Sequence, residues 1–240
     1  MSDEAVARVG LLQGFELFSE GELVTLPLSA QRVVAFLALH DRPVHRLYVA
    51  GTLWLNSTET KANACLRTAL WRLRSPECHV VEATPTHLEL AKNVEVDVRV
   101  TKAAAEQAIG HAIAPGDDAA SVLYRAGELL PEWYEDWVLV EREQFRQLRL
   151  HALEALCVDL TAAGRFGEAV RAGLAAIKGE PLRESAHRVL IGTYLAEGNP
   201  GEALRQFRRF RRQLDEELSL EPSPLMLDLV GGALDPVTKP

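Results

Sequence analysis

Two different spacings of hydrophobic residues divide the beginning of the chain. Residues 8–26 alternate apolar and polar side chains, which is typical of half-buried β-strands, and Glu20-Gly21 predicts a turn between two short strands. After Pro27 the spacing becomes helical, and one face of the predicted helix carries four apolar residues: Val33, Val34, Leu37 and Ala38. The pattern therefore predicts a small sheet followed by a helix.

A second helix and a later hairpin are predicted by the same argument. The segment 44–54, VHRLYVAGTLW, has helical spacing, with Leu47, Ala50 and Trp54 facing inward. Further on, the short strands VVEA and HLEL flank a turn at Thr84-Pro85-Thr86, and VEVDV follows as another strand.

Between them lies a third helix, which contains ACLRTALWRLRS. Its predicted buried stripe consists of five apolar residues: Ala62, Leu66, Ala69, Leu70 and Leu73. Asn56, Ser57 and Thr58 are candidate N-caps, and Glu59 stands at capping-box spacing from Asn56. Pro76 predicts the end of this helix. The order of strands, three helices and a hairpin predicts a winged helix-turn-helix, with the third helix free to enter a major groove.

The other face of the third helix is polar and cationic. Its candidate DNA-binding residues are Lys61, Asn63, Arg67, Thr68, Trp71, Arg72 and Arg74. In a groove about 12 Å wide, the residues near the middle would face base edges, and Lys61 and Arg74 near the ends would face phosphates. Two alternatives remain at this point. The arginines are also compatible with an ordinary solvated surface. The indole of Trp71 is also compatible with a position in the core or at a domain interface.

Charge is distributed unevenly along the chain. The formal net charge is −8, yet Leu28 to Ser75 contains seven Lys and Arg against two Asp and Glu, a local net charge of +5. A protein that binds the phosphate backbone of nucleic acid needs a local basic segment, even when its net charge is negative. No run of 18 apolar residues and no signal peptide is present, so we expect a cytoplasmic, nucleoid-associated protein with no membrane contact.

Motifs that carry catalytic or cofactor chemistry are missing from the sequence. It contains no Walker loop, GxGxxG, HExxH or GxSxG, and its three cysteines form no CxxC pair. Its seven histidines show no metal-ligand spacing. We therefore expect no enzyme activity, no cofactor and no metal.

The second half of the sequence is helical and contains an internal repeat. Residues 163–177 and 197–211 align at an offset of 34, the tetratricopeptide period, with Gly164 matching Gly198. Ahead of the repeat, Trp133, Tyr134 and Trp137 are expected to pack rather than to form a ligand cage. Near its end, Arg208, Arg209, Arg211 and Arg212 could touch DNA, but i,i+4 pairing with acidic residues 215–217 on a solvated face is the expectation.

The quoted motifs resemble a known family. LALH, LYVAGTLW and ACLRTALWRLRS are similar to the OmpR/PhoB-type winged helix of the Streptomyces antibiotic regulatory protein family. LLPEWYEDW and EPLRESAHR are similar to the bacterial transcriptional activator domain that follows it in that family. The polar connection LWLNST and the absence of arginine at the wing tip depart from the family pattern.

The resemblance implies a function and its partners. It implies a transcriptional activator of a specialised-metabolite gene cluster that binds promoter direct repeats as a head-to-tail dimer and contacts RNA polymerase holoenzyme. It implies that Arg67, Thr68, Trp71, Arg72 and Arg74 reach DNA. It also implies that the wing tip, with Thr84, Thr86 and His87, approaches the minor groove.

We therefore expect a mainly α fold with a small β part, in which a winged helix-turn-helix precedes a tetratricopeptide-like all-α domain. The expected boundaries are residues 1–98, 99–230 and a tail at 231–240. Because the winged helix begins almost at residue 1, we expect no phospho-acceptor receiver, and no room for an added nucleotide-binding module. The alternative function is a helical-repeat scaffold or effector-sensing protein whose winged helix contacts protein.

Overall fold

The computed structural model describes residues 7–74, 79–111 and 118–234. The chain forms two compact units. The first unit comprises residues 1–101 and 126–145, and the second comprises residues 102–125 and 146–240. The fold is mainly α with small sheets, as expected, but residues 126–145 belong to the first unit, whereas the expected boundary at 98/99 assigned them to the second domain. That boundary stays a prediction.

The elements follow the predicted order. The first part of the chain contains β1 (Ala7–Gly10), β2 (Glu16–Ser19), β3 (Glu22–Leu23), α1 (Leu28–Ala38), β4 (Val44–His45), α2 (Arg46–Leu53), α3 (Glu59–Arg72), β5 (Val81–Ala83), β6 (His87–Leu90) and β7 (Val94–Val96). The rest contains α4 (Asp97–Ile109), α5 (Ala119–Arg125), α6 (Asp136–Ala162), α7 (Phe166–Gly179), α8 (Glu184–Ala196), α9 (Pro200–Leu218) and α10 (Pro224–Leu234).

Two small sheets frame the helices of the first unit. The first has the order β3-β2-β1-β7, with β7 parallel to β1, and the second has the order β4-β6-β5. The predicted turn at Glu20-Gly21 is confirmed, and both residues have positive φ, as a two-residue hairpin of the primed type requires. The two-residue strand β4 was not predicted. It pairs with β6 and so ties the start of α2 to the hairpin.

The inward face of α2 differs from the prediction. Ala50 is buried as expected, but its buried neighbours are Val49 and Leu53, while Leu47 is 51% exposed and Trp54, the C-cap, is half-buried. The helix begins only at Arg46, and its core face falls on positions 49, 50 and 53. Buried apolar residues of α1, including the four predicted ones, form the core beside it.

The third helix, α3, buries the five residues predicted for its stripe. Its N-cap is Thr58, whose hydroxyl accepts the N–H of Lys61 at 3.4 Å. The predicted capping box between Asn56 and Glu59 is therefore wrong, because the helix starts at Glu59 itself. The helix ends at Arg72, and Pro76, the predicted terminator, lies outside the described residues.

Residues 126–145 complete the core of the first unit. Leu129 and Leu130 are fully buried in it, and Leu129 forms an antiparallel bridge with Leu12. Trp133 and Trp137 pack against the same core, which confirms packing for two members of the aromatic cluster. Tyr134, the third member, is 77% exposed.

The second unit contains the predicted repeat. Gly164 and Gly198 both have left-handed backbone, with φ of 72° and 83°, directly after a helix. Each belongs to the same hydrogen-bond pattern, in which Arg165 N–H donates to Leu160 O at 2.9 Å and Asn199 N–H donates to Tyr194 O at 2.8 Å. The offset of 34 residues is therefore present in the backbone as well as in the sequence.

The end of the chain differs from the expected tail. The helix α10 continues through residues 231–234, which were assigned to the tail, and residues 235–240 lie outside the described residues. None of the described helices combines the length and the apolar character needed to cross a bilayer.

Candidate nucleic-acid interface

The core of the first unit fixes one side of α3 and leaves the other side in solvent. Leu66 and Ala69 are buried, whereas Arg67, Thr68 and Arg72 are exposed. Trp71 is 72% exposed, so the alternative interpretation of this indole as a core residue is wrong. Tryptophan is enriched at interfaces, because its large apolar ring and its N–H can both contact a partner, so an indole exposed among arginines is compatible with an interaction surface.

The polar groups on this face are available to a partner. Within the described ranges, Arg67, Arg72 and Arg74 form no ion pair. Thr68 is exposed, and its hydroxyl donates to Ala64 O at 3.1 Å, which leaves the hydroxyl oxygen free to accept. The face therefore offers guanidinium donors, one hydroxyl acceptor and apolar contact area.

A groove of about 630 Å³ runs between α3 and the β5 side of the hairpin. It is lined by Arg46, Arg67, Thr68, Leu70, Trp71, Leu73, Arg74, His79, Val81 and Ala83. The structure thus brings together four of the predicted residues, Arg67, Thr68, Trp71 and Arg74. Lys61, Asn63 and Arg72 lie on α3 but do not line this groove.

The β5–β6 hairpin, which we call the wing, carries the other predicted residues. Thr84, Thr86 and His87 are exposed at its tip. Their polar groups hold the turn itself: the Thr84 hydroxyl accepts the N–H of His87 at 2.9 Å, and Thr86 Oγ1 lies 3.0 Å from His87 Nδ1. Glu82 and Glu89 face each other across the two strands just behind the tip. Two opposed carboxylates repel phosphates, so the wing offers a weaker surface for DNA than α3 does.

Sequence reasoning missed two groove residues, Arg46 and His79. The Arg46 guanidinium donates to Thr84 O at 3.0 Å, and the Arg46 N–H donates to Thr86 O at 2.9 Å. Arg46 therefore joins the start of α2 to the wing tip. Its charge was counted in the basic segment, but its position depends on β4, a strand too short to be predicted from periodicity.

The first unit is thus a winged helix-turn-helix with an exposed cationic third helix, and the second unit is a tetratricopeptide-like array of helices. Together they define the class of DNA-binding transcription regulators. The family model of the bacterial transcriptional activator domain matches residues 94–231. The chain belongs to that family and is a regulator of the Streptomyces antibiotic regulatory protein type.

Two known proteins are similar over nearly the whole chain. Regulatory protein AfsR of Streptomyces coelicolor is 26% identical over an alignment of 246 positions, which covers 95% of this chain and 24% of AfsR. The structure of Mycobacterium tuberculosis EmbR, in complex with a low-affinity phosphopeptide, has a TM-score of 0.74 and 22% identity. That match covers 97% of this chain and 66% of EmbR, and at this identity it shows the shared fold. The chain spans about a quarter of the length of AfsR.

Proposed function

We propose that the protein is a sequence-specific DNA-binding transcriptional activator that lays α3 in the major groove. The observation that carries the proposal is the exposed face of α3, where Trp71 is 72% exposed beside arginines that form no ion pair among the described residues. In helix-turn-helix proteins the second helix of the motif lies in the major groove and contacts base edges, and α3 holds that position after α2.

Each residue of the interface has a proposed role. Arg67 and Arg72 donate to guanine O6 and N7, the commonest specific contact of arginine in the major groove. Thr68 and Trp71 make apolar contact with thymine methyl groups and the groove wall. The remaining residues bind phosphates or sugars and set the register of the helix on the duplex: Lys61, Asn63, Arg74, Thr84, Thr86 and His87.

The target and the assembly are also part of the proposal. We propose that the protein binds direct repeats near a promoter as a head-to-tail dimer, contacts RNA polymerase holoenzyme and activates a specialised-metabolite gene cluster. The support is the family membership together with the similarity to a Streptomyces regulatory protein. Half-sites one helical turn apart, about 10–10.5 base pairs, are then expected. The proposal includes no catalytic step and no cofactor, and it places the protein at the nucleoid.

The proposal is tested by selecting bound duplexes from a random-sequence library and measuring affinity by fluorescence anisotropy from about 50 to 300 mM salt. The expected result is an enriched direct repeat, bound more tightly than random duplex by a factor of about 10³ or more, with affinity that falls steeply as salt rises. Enrichment of no sequence, together with salt-independent binding to a protein partner, would support the scaffold alternative instead.

A further inference from the structure

One side of α9 in the second unit carries a row of exposed arginines. Arg208, Arg209 and Arg212 are exposed, and at 100° per residue they fall within an arc of about 100°. The opposite side of the helix is anchored in the core by Phe210, which is fully buried, and Leu214. We call Arg208, Arg209 and Arg212 the α9 arginine face.

Acidic neighbours neutralise other arginines of α9 but not these three. Arg205 pairs with Glu202 through two hydrogen bonds, and Arg211 pairs with Glu221, with distances of 2.9 and 3.0 Å between their atoms. The three arginines of the α9 arginine face have no ion-pair or hydrogen-bond partner in the part of the chain that the structure describes.

The expected i,i+4 pairs with acidic residues 215–217 are therefore not formed among the described residues. Arg211 instead reaches Glu221, ten positions along the chain. The predicted solvated face is confirmed, because these arginines are exposed, whereas the predicted i,i+4 ion pairs are absent among the described residues, and no ion pair occupies the α9 arginine face.

The arrangement places like charges on neighbouring turns of α9, with one acidic residue, Glu216, four positions after Arg212 in the same arc. Arg208 and Arg212 are four residues apart and Arg209 and Arg212 are three apart, so their like charges repel across one turn. They lie in the body of the helix, where a cation gains little from the helix dipole. A bound anion would remove this repulsion.

The chemistry of the face matches phosphate. All three cations are arginine, whose planar fork of donors binds phosphate oxygens in pairs. Arg208 and Arg212 lie about 6 Å apart along the helix axis. A strand of B-DNA presents one phosphate per roughly 3.4 Å of its axis, so one strand offers two phosphates within that span.

We propose that the α9 arginine face binds the phosphate backbone of duplex DNA, as a contact that adds affinity without reading sequence. This inference rests on the proposed function, because it assumes that duplex DNA is the ligand of the protein. It assigns a DNA contact to the helical domain, in addition to the contact of α3.

The test compares the full chain with R208Q/R212Q and with the matched control R205Q/R211Q. Both double variants lose two positive charges from the same helix, but the control removes arginines that carboxylates already neutralise. For each protein, affinity for random duplex and for the selected site is measured across salt, and thermal unfolding checks the fold. The pair R208K/R212K keeps the charge and serves as a rescue variant.

We expect R208Q/R212Q to lower the slope of log affinity against log salt by about 1.8, from two lost phosphate contacts, and to weaken binding at 0.15 M salt on the order of thirtyfold. Specific and random duplex should be affected equally. The control and the lysine pair should keep slopes close to wild type.

An unchanged slope in R208Q/R212Q, or an equal change in the control, would overturn the inference, and the first result would leave an acidic protein as the partner of this face.

Failure of the proposed function looks different. If binding shows no sequence preference but depends on the α9 arginine face, the proposed base-reading role of α3 is contradicted and this inference is supported. If wild type binds no duplex at 50 mM salt, both fail.

Discussion

Arg72 lies at the end of α3 with an exposed side chain and no ion pair among the described residues. Its contribution to folding is limited to a favourable position near the C-terminal end of the helix dipole, which is worth less than about 1 kcal/mol. A role in reading bases would make its contribution to specific binding much larger than its contribution to stability.

We therefore predict that Arg72→Ala weakens binding to the selected site by about fivefold to 150-fold, corresponding to about 1–3 kcal/mol, because a bidentate contact with guanine is lost. Affinity for random duplex and the thermal midpoint should stay nearly unchanged in anisotropy and unfolding measurements. Equal losses on both duplexes would make Arg72 a phosphate contact, and a fall of several degrees in the midpoint would make it a core residue.

His187 is the buried histidine of the second unit, with 1% exposure. Its Nε2–H donates to Pro181 O at 2.9 Å, and its Nδ1 accepts from the Gln206 amide at 2.8 Å. Its ring stacks on the ring of Phe210, with 4.2 Å between the two ring centroids. Burial lowers the pKa of this imidazole, Arg209 lowers it further, and the Pro181 carbonyl and Glu184 oppose the shift. The neutral ring thus joins α8 to α9.

This predicts a loss of stability in mild acid. Because the folded-state pKa of His187 lies below the unfolded value of about 6.5, the unfolded chain binds the proton first as pH falls. The stabilisation is complete above pH 6.5 and is lost between that value and the lower folded-state pKa. The free energy of unfolding of wild type minus that of His187→Gln should fall as pH drops below 6.5. A difference that is constant with pH would contradict the assignment.

At the scale of elements, the helix ends of the repeat depend on glycine. Gly198 has φ of 83° and closes α8, whereas Gly192 lies inside α8, where an added Cβ would meet nothing within 4 Å. The same substitution is therefore expected to act in opposite directions at positions six residues apart.

We predict that Gly198→Ala destabilises the protein by about 1–2 kcal/mol, because an L-residue is strained in the left-handed region. Gly192→Ala should stabilise it by about 0.5–1 kcal/mol, because alanine restricts the unfolded chain and favours the helix. Urea unfolding of both variants measures the two effects. Destabilisation by Gly192→Ala, or no cost at Gly198, would show that the helix boundary is misplaced.

Elements with strong local patterns were predictable from the sequence. The stripe of α3 and the 34-residue repeat each rest on residues close in the chain, and both were found at the predicted positions. The inward face of α2 was predicted wrongly, because in a helix of eight residues the starting position decides which side chains face the core. The strand β4 pairs with β6, and Leu129 forms a bridge with Leu12. Both pairings join residues that are distant in sequence, and the spacing of hydrophobic residues does not predict such pairings.

At the scale of the whole molecule, the first unit is assembled from two separate stretches of chain. Four large apolar side chains from residues 126–145 are buried in its core: Leu129, Leu130, Val138 and Phe145. Arg99 also supports this unit by donating to carbonyl oxygens at the end of α1, including Ala38 O at 3.0 Å. A winged helix cut at residue 98 lacks both contributions.

We therefore predict that a fragment of residues 1–98 does not fold cooperatively, whereas residues 1–145 retain a folded first unit. Burial of each large apolar side chain contributes about 1.5–3 kcal/mol, and four of them approach the total stability of a small domain, about 5–15 kcal/mol. Circular dichroism melting and amide proton dispersion distinguish the two fragments. A cooperative transition in 1–98 close to that of 1–145 would instead support the sequence-based boundary.

Methylation interference on the selected duplex tests most directly whether α3 reads the major groove. A methyl group on guanine N7 occupies the edge that an arginine of α3 would contact. For wild type, we predict interference at guanines within each half-site, and Arg72→Ala should lose the interference at its own guanine while keeping the others. Tight, sequence-selective binding with no interference at any guanine N7, or an identical pattern in Arg72→Ala, would contradict the assignment of Arg72 and α3 to base reading.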